Sequence, residues 1–331
     1  MDWGSIFTNA IEAGFGIDGV YFALAAIGLN IHFGYAGLLN FGQSAFVAMG
    51  AYGLATSVST WGLPFWVGIL IGLGGSVVLA ILLGIPTLRL RADYLAIVTI
   101  AAAEIIRLIL RSVSLKDTFG GTDGLQQYSG AFFEANPYPD DRQYGVGGVD
   151  FSSRDTWVMT VGWSLVALFC LLVWVLMNSP WGRVLKAIRE DEDAVRSLGK
   201  NVYAYKMQAL VLGGVIGATG GFIVALGQGS VTADSFGSET TFFVYTALIL
   251  GGAARVFGPV VGAILFWSLL SLTDNVLREA IANGHISDDI MSGTQVGQVR
   301  FMLVGLGLVL MLAFRPQGIF GDKKELALDA R

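Results

Sequence analysis

One cysteine, Cys170, excludes an internal disulfide and any metal cluster built from cysteines. The only histidines, His32 and His285, lie far apart, which argues against a zinc site or a histidine-centred triad. Charge is scarce: Asp, Glu, Lys and Arg make up 14% of the residues, against roughly 25% in soluble domains. No stretch reads G-x-x-x-x-G-K-[ST], so the loop that cradles nucleotide phosphates is missing and the chain is not expected to hydrolyse ATP. The first eighteen residues carry Asp2, Glu12 and Asp18 but no base, so no cleavable signal peptide is expected and insertion falls to the first apolar span. No cofactor, metal or nucleic-acid partner is expected.

What is present is apolar. Of 331 residues, 54% are hydrophobic, and the mean hydropathy is +0.65. These totals predict an all-α polytopic membrane protein in the lipid bilayer of a cell membrane, with residues 1–331 forming one transmembrane domain. Apolar runs occur at Val20–Ile31, Gly34–Thr56, Pro64–Ile85, Tyr94–Leu110, Trp157–Met177, Met207–Leu226, Phe242–Ala254, Val256–Leu272 and Phe301–Phe314. They predict about nine transmembrane helices, within a range of eight to ten, the short 242–254 run being a span or a re-entrant piece. The 45 glycines sit mostly inside these runs. Gly68/Gly72, Gly213/Gly217/Gly221 and Gly258/Gly262 have the four-residue spacing that lets membrane helices approach closely.

The most basic island is 179–206, with Arg183, Lys186, Arg189, Arg196, Lys200 and Lys206. An external N-terminus puts these six inside, together with Arg89, Arg91, Arg255, Arg315, Lys323, Lys324 and Arg331. The long 112–156 loop is then an external cap, and 315–331 a cytoplasmic tail. Acids such as Asp140, Asp141, Asp288 and Asp289 fall outside. Within the island, Ser179-Pro180 reads as a helix start. Val184, Ile188, Val195 and Leu198 fall within about 40° of one line on a helical wheel. Asp191 lies on that line, so the helix is predicted to break there, with Asp191 capping a second helix that ends near Gly199. The apolar line needs a cover: the membrane interface, the chain's own helices, or a partner's groove.

Several polar residues interrupt the spans. Glu104 and Arg107 sit at i, i+3 inside one run, either lining the translocation path or forming an ion pair that orients the span. Asn40, Gln43 and Ser44 interrupt another, either lining a pore beside a broken helix or bonding between helices.

The island also resembles the coupling segment of ABC-importer permeases, whose Glu-Ala-Ala-x-x-x-Gly signature meets Asp193-Ala194-Val195 and Gly199 here. Together with GYAGLLNFGQSAFVAMGAY (34–52), LGIPTLRLRADYLAIVTIAAAEIIRLIL (83–110), GGTDGL (120–125), LGGAARVFGPVVGA (250–263) and FRPQGIFG (314–321), it resembles the permease subunits of branched-chain amino-acid ABC importers. Gly42-Gln43 stands where that family usually has Gly-His. The resemblance implies a non-enzymatic transport subunit for branched-chain or other aliphatic amino acids. It implies a second homologous permease subunit, as hetero- or homodimer, with two cytoplasmic ATP-binding subunits and an external solute-binding protein. It assigns ATPase coupling to the face of Val184, Ile188, Asp193, Ala194, Val195, Leu198 and Gly199. A urea or amide importer permease resembles the chain closely too; a secondary transporter acting alone is the other alternative.

Overall fold

A computed structural model describes residues 2–88, 92–146, 148–283, 295–315 and 317–321. Arg89, Arg91, His285, Asp288, Asp289, Lys323, Lys324 and Arg331, all named above, lie outside the described residues. Helices dominate. Strands among the described residues form two short antiparallel pairs: β1 (Leu125–Gln126) with β4 (Ser230–Val231), and β2 (Tyr144–Val146) with β3 (Val149–Phe151).

The chain begins with a helix that run lengths did not predict. Helix α1 spans Trp3–Phe15 and is capped by Asp2, whose carboxylate accepts from the Gly4 (3.0 Å) and Ser5 (3.3 Å) amides. Its Trp3, Phe7, Ile11 and Phe15 form an exposed stripe at helical spacing. The scattered acids Asp2, Glu12 and Asp18 break up the apolar run but not this period. Helix α2 (Ile17–Leu29) follows and passes into a π-helical stretch, Asn30–Tyr35. The expected run Gly34–Thr56 is not one helix. The chain leaves the helix at Ala36, crosses a non-helical segment 36–42, and re-enters as α3 (Gln43–Ser59). Gly37 turns this break with φ +67°, a conformation that favours glycine.

Helices α4 (Phe65–Thr87), α5 (Ala92–Arg111) and α6 (Ser153–Asn178) come next. Two short helices, α7 (Pro180–Glu190) and α8 (Glu192–Ser197), then join α6 to α9 (Val202–Gln228). Helices α10 (Ser238–Gly251), α11 (Gly258–Ala282) and α12 (Val296–Phe314) complete the order. Among the described residues, five helical units are long and apolar enough to cross a membrane: Trp3–Tyr35, α4, α6, α9 and α11. Helix α10 has 14 residues, which is about 21 Å and short of a full hydrocarbon core.

Helices α2 and α9 form the centre. Helix α9 packs against α2, α3 and α4; α11 packs against α1, α2 and α10; α6 lies on α2 and α12 on α11. The connections sort to two ends. At one, Asn30 donates to the Arg255 carbonyl and accepts from the Ala254 amide, each at 2.8 Å. There too the Ile319 and Phe320 amides donate to the Leu250 (3.0 Å) and Gly251 (3.1 Å) carbonyls, closing the C-terminus of α10. At the other end Thr60 Oγ1 donates to the Thr118 carbonyl at 3.1 Å, and β1 pairs with β4.

Glycine sets the spacing at the centre. A Cβ on Gly221 would fall well inside van der Waals contact of the Val47 carbonyl and 2.8 Å from the Ala51 amide, both backbone atoms of α3. Backbone cannot swing aside as a side chain can. Gly221→Ala is therefore expected to destabilise the detergent-solubilised protein by about 1–3 kcal/mol. Gly74→Ala, where a Cβ meets nothing within 4 Å, is expected to leave the melting temperature unchanged or raise it, because alanine favours helix. Equal melting temperatures for the two variants would show that the α3–α9 approach is not close.

Candidate functional site

Helices α7 and α8 form the most amphipathic part of the chain, and their break falls where the sequence predicts it. Ser179 stands in extended conformation before Pro180, but its hydroxyl donates back to the Leu176 carbonyl (2.6 Å) instead of capping α7. Asp191 is extended, and its Oδ1 accepts from the Ala194 amide at 2.9 Å, so it caps α8. Glu192 and Asp193 occupy the first turn of α8, and Arg196 bonds both, at 2.7 and 2.8 Å. Lys206 of α9 also pairs with Glu192. Gly199, at φ +75°, ends the unit.

The expected apolar line divides. Ile188 (3% exposed) and Val195 (6%) are covered by the chain itself, in a small cluster with Val202 and the half-buried Val184, Ala187 and Tyr205. Leu198 is 80% exposed. The physical reason is the kink at Asp191: it folds α8 back on α7, so three of the four apolar residues satisfy one another and the fourth is left at the tip. Asp193, Ala194 and Gly199 are exposed beside it. Ile188 and Val195 thus pack between the two helices in this chain, and Leu198, Asp193, Ala194 and Gly199 are the exposed members of the expected coupling face.

Helix α7 is anchored to the bundle at the 36–42 break. Leu185 is fully buried in the main core. Arg189 donates through a guanidinium nitrogen to the Gly34 carbonyl at 2.6 Å, and Lys186 Nζ lies 5.7 Å from the centroid of the Tyr35 ring. Just beneath is a sealed polar junction. The Asn40 amide contacts His32 Nδ1 (3.0 Å) and accepts from the Gly42 amide (2.9 Å). His32 Nε2 reaches the Leu210 carbonyl of α9 at 3.0 Å. Gln43 donates to the Ala25 carbonyl of α2 at 3.1 Å. The Ser44 amide bonds Thr241 Oγ1 of α10 (2.9 Å), and the Phe41 amide bonds Thr99 Oγ1 of α5 (3.0 Å). Tyr245 of α10 donates to the Asn40 carbonyl at 3.1 Å.

Asn40, Gln43 and Ser44 are all 0% exposed; the Asn40 and Gln43 side chains bond His32 and the Ala25 carbonyl, while the Ser44 hydroxyl is buried without a hydrogen-bond partner among the described residues. Neither the cleft of about 490 Å³ beside Glu12, Asp18 and Asp155 nor the apolar cleft of about 280 Å³ beside Tyr52, Thr56 and Ile106 includes them, Glu104 or Arg107. The junction partners Thr99, Thr241 and Tyr245 escape a linear reading because they come from distant helices.

Glu104 and Arg107 do meet. Arg107 Nε donates to both carboxylate oxygens of Glu104, at 3.1 and 3.0 Å. Its NH1 reaches Asp234 at 2.8 Å, and Arg111 approaches the same carboxylate at 3.4 Å. The cluster fastens α5 to the segment between α9 and α10. Asp234 was not anticipated; its signal was an acid flanked by turn-forming residues in VTADSFG, opposite two unmatched bases. The Glu104 side chain is 40% exposed, so the cluster opens onto the surface of this chain.

Long apolar helices, closely packed through glycine at the centre and with apolar side chains exposed at the periphery, with a polar two-helix unit at one end, define a multi-pass membrane protein. Residues 14–314 match the family described as branched-chain amino acid transport system / permease component, and the chain belongs to that family. It is similar to the high-affinity branched-chain amino acid transport system permease protein LivM of Salmonella typhimurium, with 30% identity over 90% of this chain and 67% of the relative. It is similar to the permease protein LivH of the corresponding Escherichia coli system, with 24% identity over 92% of each. It is also similar to the nucleoside ABC transporter permease protein NupC of Lactococcus lactis, with 24% identity over 85% of this chain and 86% of that one.

The ion cluster yields a measurable coupling. Arg107→Gln leaves Glu104 with no charge partner on its own helix and is expected to cost about 1–3 kcal/mol of stability. The double variant Glu104→Gln/Arg107→Gln is expected to recover at least half of that. Thermal melts of the four proteins in one detergent give the cycle; additive losses would show that the pair carries no interaction energy.

Proposed function

We propose that this chain is the membrane subunit of an ATP-driven ABC importer in the cell membrane, carrying branched-chain or other aliphatic amino acids inward. The observation that carries the proposal is the α7–α8 unit. It is anchored in the bundle through Leu185 and Arg189 and presents one exposed large apolar residue, Leu198, among exposed charges. A protruding, internally braced element of this kind suits the groove of a cytoplasmic ATPase subunit. Two such subunits, a second homologous permease and an external solute-binding protein complete the machine in this reading. The names of the LivM and LivH relatives, two permease proteins of one kind of system, support a permease pair.

Counting Trp3–Tyr35 once, α3, α4, α5, α6, α9, α10, α11 and α12 bring the spans to nine. With the N-terminus outside, the α7–α8 end is cytoplasmic and the 112–156 loop external. The sorting of the connections to two ends supports this alternation. The open face of Glu104 and Arg107 is then the candidate surface for the solute path or the partner permease, because a half-exposed carboxylate does not face lipid cheaply. The similarity to a nucleoside permease gives the substrate a second reading, in which the external binding protein selects a polar solute.

Proteoliposomes holding the chain with its partner subunits test the proposal. Uptake of labelled leucine is expected to require ATP inside the vesicle, the ATPase subunits facing the lumen, and the solute-binding protein outside. Uptake by this chain alone, or uptake indifferent to ATP, would sink it; ATP-dependent uptake of nucleoside but not leucine would establish the second substrate reading. Leu198→Asp is expected to reduce copurification of the ATPase subunit by about tenfold, the loss of one desolvated anchor, with an unchanged melting temperature.

A further inference from the structure

Building on the importer reading, we propose that Arg189 is a positioning residue. It carries movement of the α7–α8 unit into the interrupted helix between Tyr35 and Gln43. Three observations meet at this point.

First, the α7–α8 unit is built to move as one body. Ile188 and Val195 bury each other across the kink, Asp191 caps α8, and Arg196 and Lys206 tie Glu192 to its surroundings. A displacement applied at Leu198 therefore reaches α7 without being absorbed on the way.

Second, Arg189 grips the break itself. Gly34 lies in the last turn of the π-helical stretch, where carbonyls lack intrahelical partners. The Arg189 guanidinium supplies one at 2.6 Å. Gly37 packs directly on the same side chain: a Cβ there would stand 3.2 Å from Arg189 Cγ and 3.5 Å from its Cβ. Lys186 over the Tyr35 ring adds a second contact one turn earlier. Side chain and backbone interlock, so α7 cannot shift without moving residues 34–37.

Third, the break and its flanks are bonded to four helices. Short π-helical stretches and glycine-turned junctions supply the alternative backbone arrangements that hinges need. From this break, hydrogen bonds run to α2 through Gln43, to α5 through Phe41, to α9 through His32 and to α10 through Ser44 and Asn40. Helix α5 in turn carries Glu104 and Arg107, bound to Asp234 near the other end. Repositioning 34–42 thus changes the seating of four helices at once, the open face of α5 among them.

The test uses the full complex in proteoliposomes. It compares Arg189→Ala and Arg189→Lys, the latter keeping a cationic donor for the Gly34 carbonyl. Arg189→Ala is expected to copurify with the ATPase subunit at the wild-type yield and to keep ATP hydrolysis. Its solute uptake per ATP should fall about tenfold, within the span that residues on a coupling route command. Arg189→Lys is expected to recover part of the loss. Arg189→Met, which keeps the aliphatic stem against Gly37 but removes the donor to the Gly34 carbonyl, should lower the same ratio and keeps the test available if Arg189→Ala does not fold. An Arg189→Ala complex with wild-type uptake per ATP overturns the proposal. So does one that loses the ATPase subunit, which would make Arg189 part of the docking surface. Both results leave the importer reading standing; that reading fails separately, if wild-type uptake needs no ATP.

Discussion

Where the second helix stops, at Tyr35, its last carbonyls lose their intrahelical partners, and a lipid environment offers no replacements. Much of the architecture around α2 and α3 follows from meeting that demand with protein. Arg189 takes the Gly34 carbonyl, Tyr245 the Asn40 carbonyl, and Thr99 and Thr241 accept the amides of Phe41 and Ser44. Asn30 binds both a carbonyl and an amide of the 254–255 turn. The satisfying groups come from three other helices, two of them from α10, so the break draws α5, α7, α10 and the turn before α11 to one place. A straight helix from Ile17 to Ser59 would have needed none of these bonds and would have left those elements unconnected.

The same economy explains the glycines. Apolar side chains gain nothing from one another that lipid does not also give, so tight association rests on close approach and on polar contacts. Gly28, Gly213 and Gly217 lie against the polar junction, where Cβ atoms would strike His32, Gln43 or a facing backbone. The space they leave is what lets His32 reach the Leu210 carbonyl and Gln43 reach Ala25. Small residues and buried amides are therefore one device: the first makes room and the second fills it with directional bonds.

What could be read from the residues divides along the same line. The helical class, most span positions, the kink at Asp191 and the Glu104–Arg107 pair depend on local pattern, and the sequence carries them. Asp191 as cap followed by Glu192 and Asp193 is a local rule that tertiary structure had no reason to override. Helix α1 was obscured because run length, unlike helical period, ends at each acid. Asn40, Gln43 and Ser44 show the limit. Polar residues amid glycines in an apolar run mark a break, but whether they face water or His32, Ala25 and Thr241 depends on partners 8 to 197 positions away. Family resemblance reaches the importer class, yet it did not say which side of α7 and α8 turns inward.

That last point shapes how the two-helix unit would work in the proposed importer. A straight amphipathic helix would offer four apolar residues to a partner and keep none for itself, binding tightly but resting loosely on its own bundle. The kink reverses the allocation. Ile188 and Val195 stiffen the unit, and burying each contributes about 1.5–3 kcal/mol. Leu198 is left exposed in a stretch that also carries the exposed Asp193, Arg196 and Lys200, and in the proposed importer it is the residue for the partner to bury. In an ATP-driven cycle the partner moves and the contact must persist through the movement. A rigid lever with a small apolar tip transmits displacement better than a broad soft face, because little of the motion is lost in deforming the lever. The strength of the contact can then be modest, since charges at the rim orient the encounter and a single buried leucine holds the register.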